Sequence, residues 1–425
     1  MLRKAGGNWV QGDRFFDRGV ELGALIERVR DGTHTLLTAQ RRMGKTSLVR
    51  ELLRRLKQGG HFETVFVDLE DAGTPADAVA EIGVQARAEQ RAWRQLKSWL
   101  VNNLSEVGIG VQLQEMPAHE VWIKIRAGID AGNWRQKGDE VFAALAGNDR
   151  PVVLAIDELP ILVNRLLKGA DHRITPERRQ AVDEFMGWLR KNGQTHQDRV
   201  ILILAGSVSL EPILEQAGLS AHANIYSPFD LKPWDDETAA ACLAALAQTY
   251  RLDLPLDVRR EMCRRLRCQI PHHVQQFFDN LHEDLRRAGR RAATMEDVER
   301  VYTNEMLGVR GQMDLEHYEG RLKMVLGRDG YRTALEILTE AAVGDGLLSG
   351  DTIHQHRESV HGGSHDEVEA EVEDVLRVLE HDGYLERHGG GYRFVSGLLE
   401  DWWRARHGGH FVPIEGRRSS REQTP

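Results

Sequence analysis

Residues 36–49 read Leu-Leu-Thr-Ala-Gln-Arg-Arg-Met-Gly-Lys-Thr-Ser-Leu-Val, a short apolar run, a loop, and a Gly-Lys-Thr that opens a helix-compatible stretch. This pattern suits the capture of a polyphosphate. The first turn of a helix leaves several backbone N–H groups unpaired and carries the positive end of the helix dipole. Gly44 lets the backbone approach a phosphate with no Cβ between them. Lys45 supplies a cation for the β- and γ-phosphates, and the Thr46 hydroxyl supplies a ligand for Mg²⁺. Ala39, Arg41, Arg42, Met43 and Ser47 complete the loop and the first turn. The usual spacing G-x-x-x-x-G-K-[ST] has a glycine where this chain has Ala39, a residue that tolerates most loop geometries. A Gly-Lys-Thr at a helix start is common by itself, so the reading needs a second feature.

That feature is the run Pro151-Val152-Val153-Leu154-Ala155-Ile156-Asp157-Glu158. A stretch apolar at every position predicts a strand buried on both faces of a parallel sheet. An acid at its carboxyl end lies where it can hold Mg²⁺ through water, so Asp157 joins Thr46 as a metal ligand. Glu158 is placed to polarise an attacking water. A third apolar run, Val200 to Ala205, ends in Gly206-Ser207.

With these residues in hand the chain resembles the archaeal-type STAND ATPases, signal-transduction P-loop NTPases related to the AAA+ proteins. The resemblance starts at Phe15-Phe16-Asp17-Arg18-Gly19-Val20-Glu21-Leu22, similar to the family's F-x-x-R-x-x-E-L segment. It continues through Arg41-Arg42, Ile156-Asp157-Glu158 and Ala205-Gly206-Ser207, and reaches Leu398-Leu399-Glu400-Asp401-Trp402-Trp403 in a C-terminal part like the family's winged helix. Pro271 stands where the family carries a Gly-x-Pro in its helical lid, with Gln269 in place of the glycine. The resemblance implies an α/β fold: a P-loop NTPase with a doubly wound parallel sheet, a helical lid and a C-terminal winged-helix domain. It implies ATP and Mg²⁺ as cofactors, slow hydrolysis, adenine packing near Val10, and a lid contact at Pro271. In AAA-like ATPases the strand beside the acidic one carries a polar residue that senses the γ-phosphate. Ser207 fits that role, and it fits equally the cap of a helix beginning near Ser209-Leu210-Glu211-Pro212.

The totals bound the rest. At 425 residues two or three domains are expected. A net charge of −9 disfavours a chain built mainly to coat nucleic acid. The longest apolar runs are strand length, no signal-peptide core follows Met1, and Cys242, Cys263 and Cys268 suit a reducing compartment, so a cytoplasmic protein without a membrane partner is expected. Those cysteines with His272 and His273 lack the spacing of a zinc knuckle.

Element by element, residues 1–232 are expected to be the ATPase core. A helix over 76–104 is expected there, then a β-hairpin insertion at about 107–127 built from Gly108–Leu113 and Val121–Ile125, then a helix at 134–147. The hairpin edge could recruit a partner or pack on its own domain. Arg190, Arg178 and Arg179 are candidate arginine fingers or surface residues. Residues 233–319 are expected to form the lid, rich in arginine from Arg259 to Arg291, and 320–410 a winged helix with its wing at Gly389-Gly390-Gly391. His354, His356, His361 and His365 are assigned to a mobile loop, and 411–425 to a disordered tail.

Together these features describe an ATP-binding switch that controls a partner protein or assembles with copies of itself, with ATP and ADP as ligands. The rivals are a DNA-acting ATPase of the initiator or transposition-regulator type and a nucleotide-binding scaffold without turnover. DNA is disfavoured because Asp366, Glu367, Glu369, Glu371, Glu373 and Asp374 crowd the helix that would enter the major groove. Lys45→Ala removes charge-assisted contacts worth roughly 1.5–3 kcal/mol each. Calorimetry on the folded variant should show ATP binding greatly weakened or lost; an unchanged Kd would remove the phosphate-loop reading.

Overall fold

The computed structural model describes residues 1–87, 117–344, 348–360, 365–414 and 416. They form two compact units. One comprises Arg18–Thr38 and Lys45–Leu231; the other comprises Met1–Asp17, Ala39–Gly44 and Lys232–Pro425. The front of the phosphate loop therefore groups with the C-terminal half of the chain.

The first unit is built on a parallel sheet in the order β2-β3-β4-β1-β5, with β1 Thr35–Thr38, β2 Glu63–Asp68, β3 Val152–Asp157, β4 Val200–Ala205 and β5 Ser227–Asp230. β3 and β4, the continuous apolar runs of the sequence, are buried at every position. Parallel strands need crossovers. α1 Gly19–Arg30 precedes β1, and the crossovers are supplied by α2 Lys45–Gly59, α3 Pro75–Arg87, α4 Ala118–Ala127, α5 Trp134–Ala146, α6 Leu159–Lys168, α7 Pro176–Thr195 and α8 Leu210–Gln216. Asp68 is in register with Asp157, and Leu37 with Ala205, so β1, β2, β3 and β4 end at one edge of the sheet. β5 escapes a sequence reading because it is short, carries Pro228 and alternates in burial, as an edge strand can.

The expected hairpin is not formed by its second half. Val121–Ile125 lies in α4, and Gly108–Leu113 lies outside the described residues. The apolar residues Val121, Ile123 and Ile125 alternate, but Ile123 is 58% exposed, whereas Val121, Ile125 and Ile129 are buried. Spacing by four, rather than by two, decides the burial, and that is helical. Arg126 of α4 is paired with Asp77 of α3. The helix expected over 76–104 is described as α3; its remainder lies outside the described residues.

The second unit contains α9 Asp236–Tyr250, α10 Leu256–Leu266, α11 Pro271–Arg287 and α12 Met295–Val301, then a π-helical turn at Tyr302–Met306. α13 Val309–Val343 runs across the expected boundary at 319/320; its interruption is at Gly327, whose φ of +70° breaks the helix. There follow β6 Leu348–Ser349, α14 Gly350–Val360, α15 His365–His381, β7 Leu385–His388, β8 Gly391–Phe394 and α16 Gly397–His407, with an antiparallel sheet in the order β6-β8-β7. Trp402 and Trp403 are buried, and the Trp403 indole N–H donates to Thr339 of α13 at 3.1 Å.

Two further expectations are corrected here. His354 and His356 sit in the helix α14 rather than in a loop, and His356 is buried; His365 opens α15, and His361 lies outside the described residues. The chain from Phe411 to Ile414 is seated rather than disordered: Ile414 is buried and its N–H donates to the Glu340 carboxylate at 3.2 Å. An apolar side chain beside a buried acceptor outweighs the polar character of the sequence around it. No helix among the described residues is long and apolar enough to cross a membrane.

If α4 is the helix described, Ile125→Ala should lower stability by about 2–4 kcal/mol, while Ile123→Ala should change it by no more than about 0.5 kcal/mol. Equilibrium denaturation of the two variants separates this arrangement from a hairpin, which would make both substitutions costly.

Candidate functional site

Three chain turns leave the carboxyl edge of the parallel sheet. After β3 the chain makes a turn at Glu158, a non-glycine residue in the left-handed region at φ +57°, and enters α6. After β4, Gly206 lies so close to α6 that an added Cβ would stand 2.5 Å from the Pro160 ring. That contact brings the next residue, Ser207, beside Glu158. After β1 come the loop and α2, with Gly44 at φ +86° immediately before Lys45.

Within the sheet unit four of the residues expected from the sequence meet. The Thr46 hydroxyl donates to Asp157 Oδ2 at 2.6 Å. The Glu158 N–H donates to Asp157 Oδ1 at 3.1 Å. The Ser207 N–H and hydroxyl both donate to Glu158 Oε2, each at 2.9 Å. Lys45, Ser47 and Asp157 are buried. Burial, reinforced by the charge of Glu158, pushes the Asp157 carboxyl up to about 6; the Thr46 hydrogen bond and the Lys45 ammonium act the other way. The oxygens of Thr46 and Asp157 are hard donors of the kind Mg²⁺ takes. Ser207 does not cap α8, whose N-cap position is Ser209.

Sequence reading missed Arg50. Its guanidinium lies 4.0 Å from the centre of the Phe66 ring, and the carboxylates of Asp157 and Asp68 oppose the lowering of its pKa by burial. One turn past Thr46, its place on the same helix face was the available signal. Of the finger candidates, Arg178 is engaged by its own loop, donating to the Lys168 carbonyl at 2.9 Å and pairing with Asp171. Arg190 acts electrostatically on the buried Tyr226 hydroxyl, and Arg179 lies against Gly218.

The remaining expected site residues belong to the C-terminal unit. Met43 is buried, Val10 is 9% exposed beside the more open Trp9, and Pro271 is the first residue of α11. Phe16 meets Trp234 edge to face at 5.8 Å. Arg42, in the left-handed region at φ +65°, pairs with Asp314 at 2.8 Å. Cys242, Cys263 and Cys268 are buried, and burial pushes the Cys263 thiol up to about 11 and the others to about 12. No group of three or more His, Cys, Asp or Glu suited to a metal ion occurs among the described residues.

A parallel sheet of this order, a Gly-Lys-Thr helix start after β1 and an Asp-Glu pair at the end of β3, with β4 between those two strands, define a P-loop NTPase fold. Residues 28–214 match the family model described as the AAA domain. Similar folds occur in a Walker-type ATPase of Pyrococcus abyssi and in the ORC2 protein of Aeropyrum pernix, solved as ADPNP–ADP complexes. The first has 14% identity and a TM-score of 0.58 over 93% of this chain and 98% of that one. The second has 11% identity and a TM-score of 0.51 over 94% and 98%. No curated protein matches the sequence.

Asp157 carries a thermodynamic cost with a definite pH dependence. Its folded pKa lies above the ordinary carboxylate value, so folding is disfavoured once the unfolded chain ionises, and the penalty grows as pH rises through the interval from about 4 to about 6. Asp157→Asn should stabilise the fold at pH 7.5 in Mg²⁺-free buffer by up to about 3 kcal/mol, read as a raised Tm. The gain should shrink as the buffer is taken towards pH 5. A gain that is independent of pH, or a loss of stability, would contradict this assignment.

Proposed function

We propose that this chain is a nucleotide-operated switch. It binds Mg²⁺-ATP at the phosphate loop, hydrolyses it slowly, and uses the difference between ATP and ADP to bias a conformational equilibrium that controls a partner protein or a second copy of the chain. The observation that carries this reading is the continuous path Thr46–Asp157–Glu158–Ser207. Bound Mg²⁺ would neutralise phosphate charge, with Thr46 and Asp157 as the residues that hold it, Asp157 through water. Lys45 would contact the β- and γ-phosphates. Glu158, with Oε2 committed to Ser207, has Oε1 to accept a proton from a water nucleophile. Ser207 thereby positions the base, and a role in sensing the γ-phosphate is compatible with that. Val10 and Pro271 are retained as adenine contacts by resemblance alone.

The C-terminal module, in the order helix, strand, helix, helix and hairpin, has the succession of a winged helix. Its charge arrangement supports a protein contact over a DNA contact. In the wing, Arg387 is paired with Glu380 at 3.1 Å and Arg393 with Glu386 at 2.6 Å. In α15, Glu369 is met by Arg357 at 2.8 Å and Glu371 by the Thr333 hydroxyl at 2.9 Å. Cations already neutralised by neighbours have less to offer a phosphate backbone. Docking of this module on the arginine-rich helices before it is supported at one arginine: Arg267 pairs with Glu400 at 2.7 Å, and the Tyr302 hydroxyl donates to Asp401 at 2.8 Å. The STAND-type reading adds regulation by oligomerisation to this core.

Glu158→Gln should leave ATP binding intact and slow phosphate release by about 100-fold or more, because the amide cannot accept the proton. Ser207→Ala should lower kcat by a smaller factor, with KM nearly unchanged. Hydrolysis by Glu158→Gln at the wild-type rate would favour the scaffold reading instead.

A further inference from the structure

Three consecutive residues of the phosphate loop are held by three different parts of the C-terminal unit. The Gln40 side-chain amide donates to the carbonyl of Gly383, in the turn before β7. The Arg41 carbonyl accepts from the Tyr318 hydroxyl of α13 at 3.4 Å. Arg42 donates through Nη2 to Asp314 Oδ1 at 2.8 Å, and its Nη1 meets His272 Nε2 at the start of α11.

The chemistry around Arg42 is specific. His272 is held neutral, because burial and the adjacent Arg42 charge push its pKa well down, so its Nε2 can accept from the guanidinium. His273 is driven down to about 3 by burial first and by Arg42 second. Asp314 is fixed from its other side by Gln276, which donates to Oδ2 at 2.7 Å. Arg41 is lowered by burial and by the charges of Arg321 and Arg42. The loop is thus strongly cationic, and Asp314 supplies the carboxylate that meets it. Arg42 Nε is buried with no hydrogen-bond partner among the described residues, so a paired grip through Nε and Nη2 requires Nη2 to leave Asp314. A guanidinium binds carboxylate and phosphate with the same paired geometry.

We infer that Asp314 is a built-in competitor for nucleotide phosphate at Arg42. A polyphosphate oxygen and the Asp314 carboxylate exclude each other at the same guanidinium. Binding therefore draws Arg42 off Asp314 and loosens α13 from the loop, while the Asp314 pair lowers the apparent affinity by the fraction of molecules in which it is closed. Asp314 is a positioning residue in this scheme, acting through Arg42. The inference rests on the nucleotide-binding reading.

The test is a double-mutant cycle on the full chain, with Mg²⁺-ATP titrated by calorimetry into wild type, Asp314→Asn, Arg42→Ala and the double variant, and Lys45→Ala as reference. Asp314→Asn should tighten binding by about tenfold, a typical coupling between linked sites. The double variant should bind like Arg42→Ala alone. Equal or weaker binding by Asp314→Asn, or the same tightening in the Arg42→Ala background, overturns the inference. Hydrogen exchange supplies a reading on wild type alone: amides of residues 309–320 should exchange faster with Mg²⁺-ATP, and unchanged or slower exchange overturns it. If wild type binds ATP, Lys45→Ala does not and Asp314→Asn is unchanged, the competitor is refuted and the nucleotide reading stands. If wild type does not bind ATP, both fall.

Discussion

A carboxylate at the end of a strand buried on both faces is the constraint around which the sheet unit is arranged. Asp157 is 4% exposed and in register with a second acid, Asp68. Left alone, a charge in that position would be expelled or neutralised. The Thr46 hydroxyl, the Glu158 N–H and the Lys45 ammonium each meet that demand, and each fixes another part of the site. Through Thr46 it sets the start of α2 against the end of β3. Through Glu158 it sets the left-handed turn into α6. Through Ser207, bonded to Glu158, it ties the end of β4 to the same point. Glu158 in the left-handed region and the buried charge of Asp157 are local costs of the kind that functional sites carry, a common trade of stability against function.

Much of this was legible because it depended on local chemistry. Runs such as Val152–Asp157 and Val200–Ala205 have one physical interpretation once strand length and β-branching are considered, and the Gly-Lys-Thr requires a helix start. The doubly wound parallel sheet and its helices follow. The failures share a cause. Val121–Ile125 satisfies two periodicities, and only the environment of Ile123 distinguishes them. Ile414 looks like tail until a buried carboxylate, contributed from 74 residues away by Glu340, is placed beneath its N–H. Arg42 was assigned to phosphate from its position, and its partners His272 and Asp314 stand 230 and 272 residues further along the chain. No pattern in the sequence marks such distant pairs.

The acidic face of α15 illustrates how structure qualifies a charge argument. The sequence presents it as a cluster of repelling carboxylates. In the fold, Arg357 meets Glu369 and Glu373, and Thr333 meets Glu371, so part of that charge is spent on holding helices together. Charge density along a sequence measures what is available before packing, and packing decides what is left for a partner.

The assignment of Ala39–Gly44 to the C-terminal unit also bears on the order in which the protein is made. A ribosome releases the sheet unit's residues and the loop long before α11, α13 and the turn at Gly383 exist. The parallel strands can pair once β4 and β5 have emerged, but the loop's partners arrive only later, from His272 through Asp314 and Tyr318 to Gly383. The nascent chain thus passes through a stage in which the phosphate loop is complete in sequence and not yet held. A nucleotide that bound during that stage would meet no Asp314 pair at Arg42, and would be folded in rather than admitted afterwards.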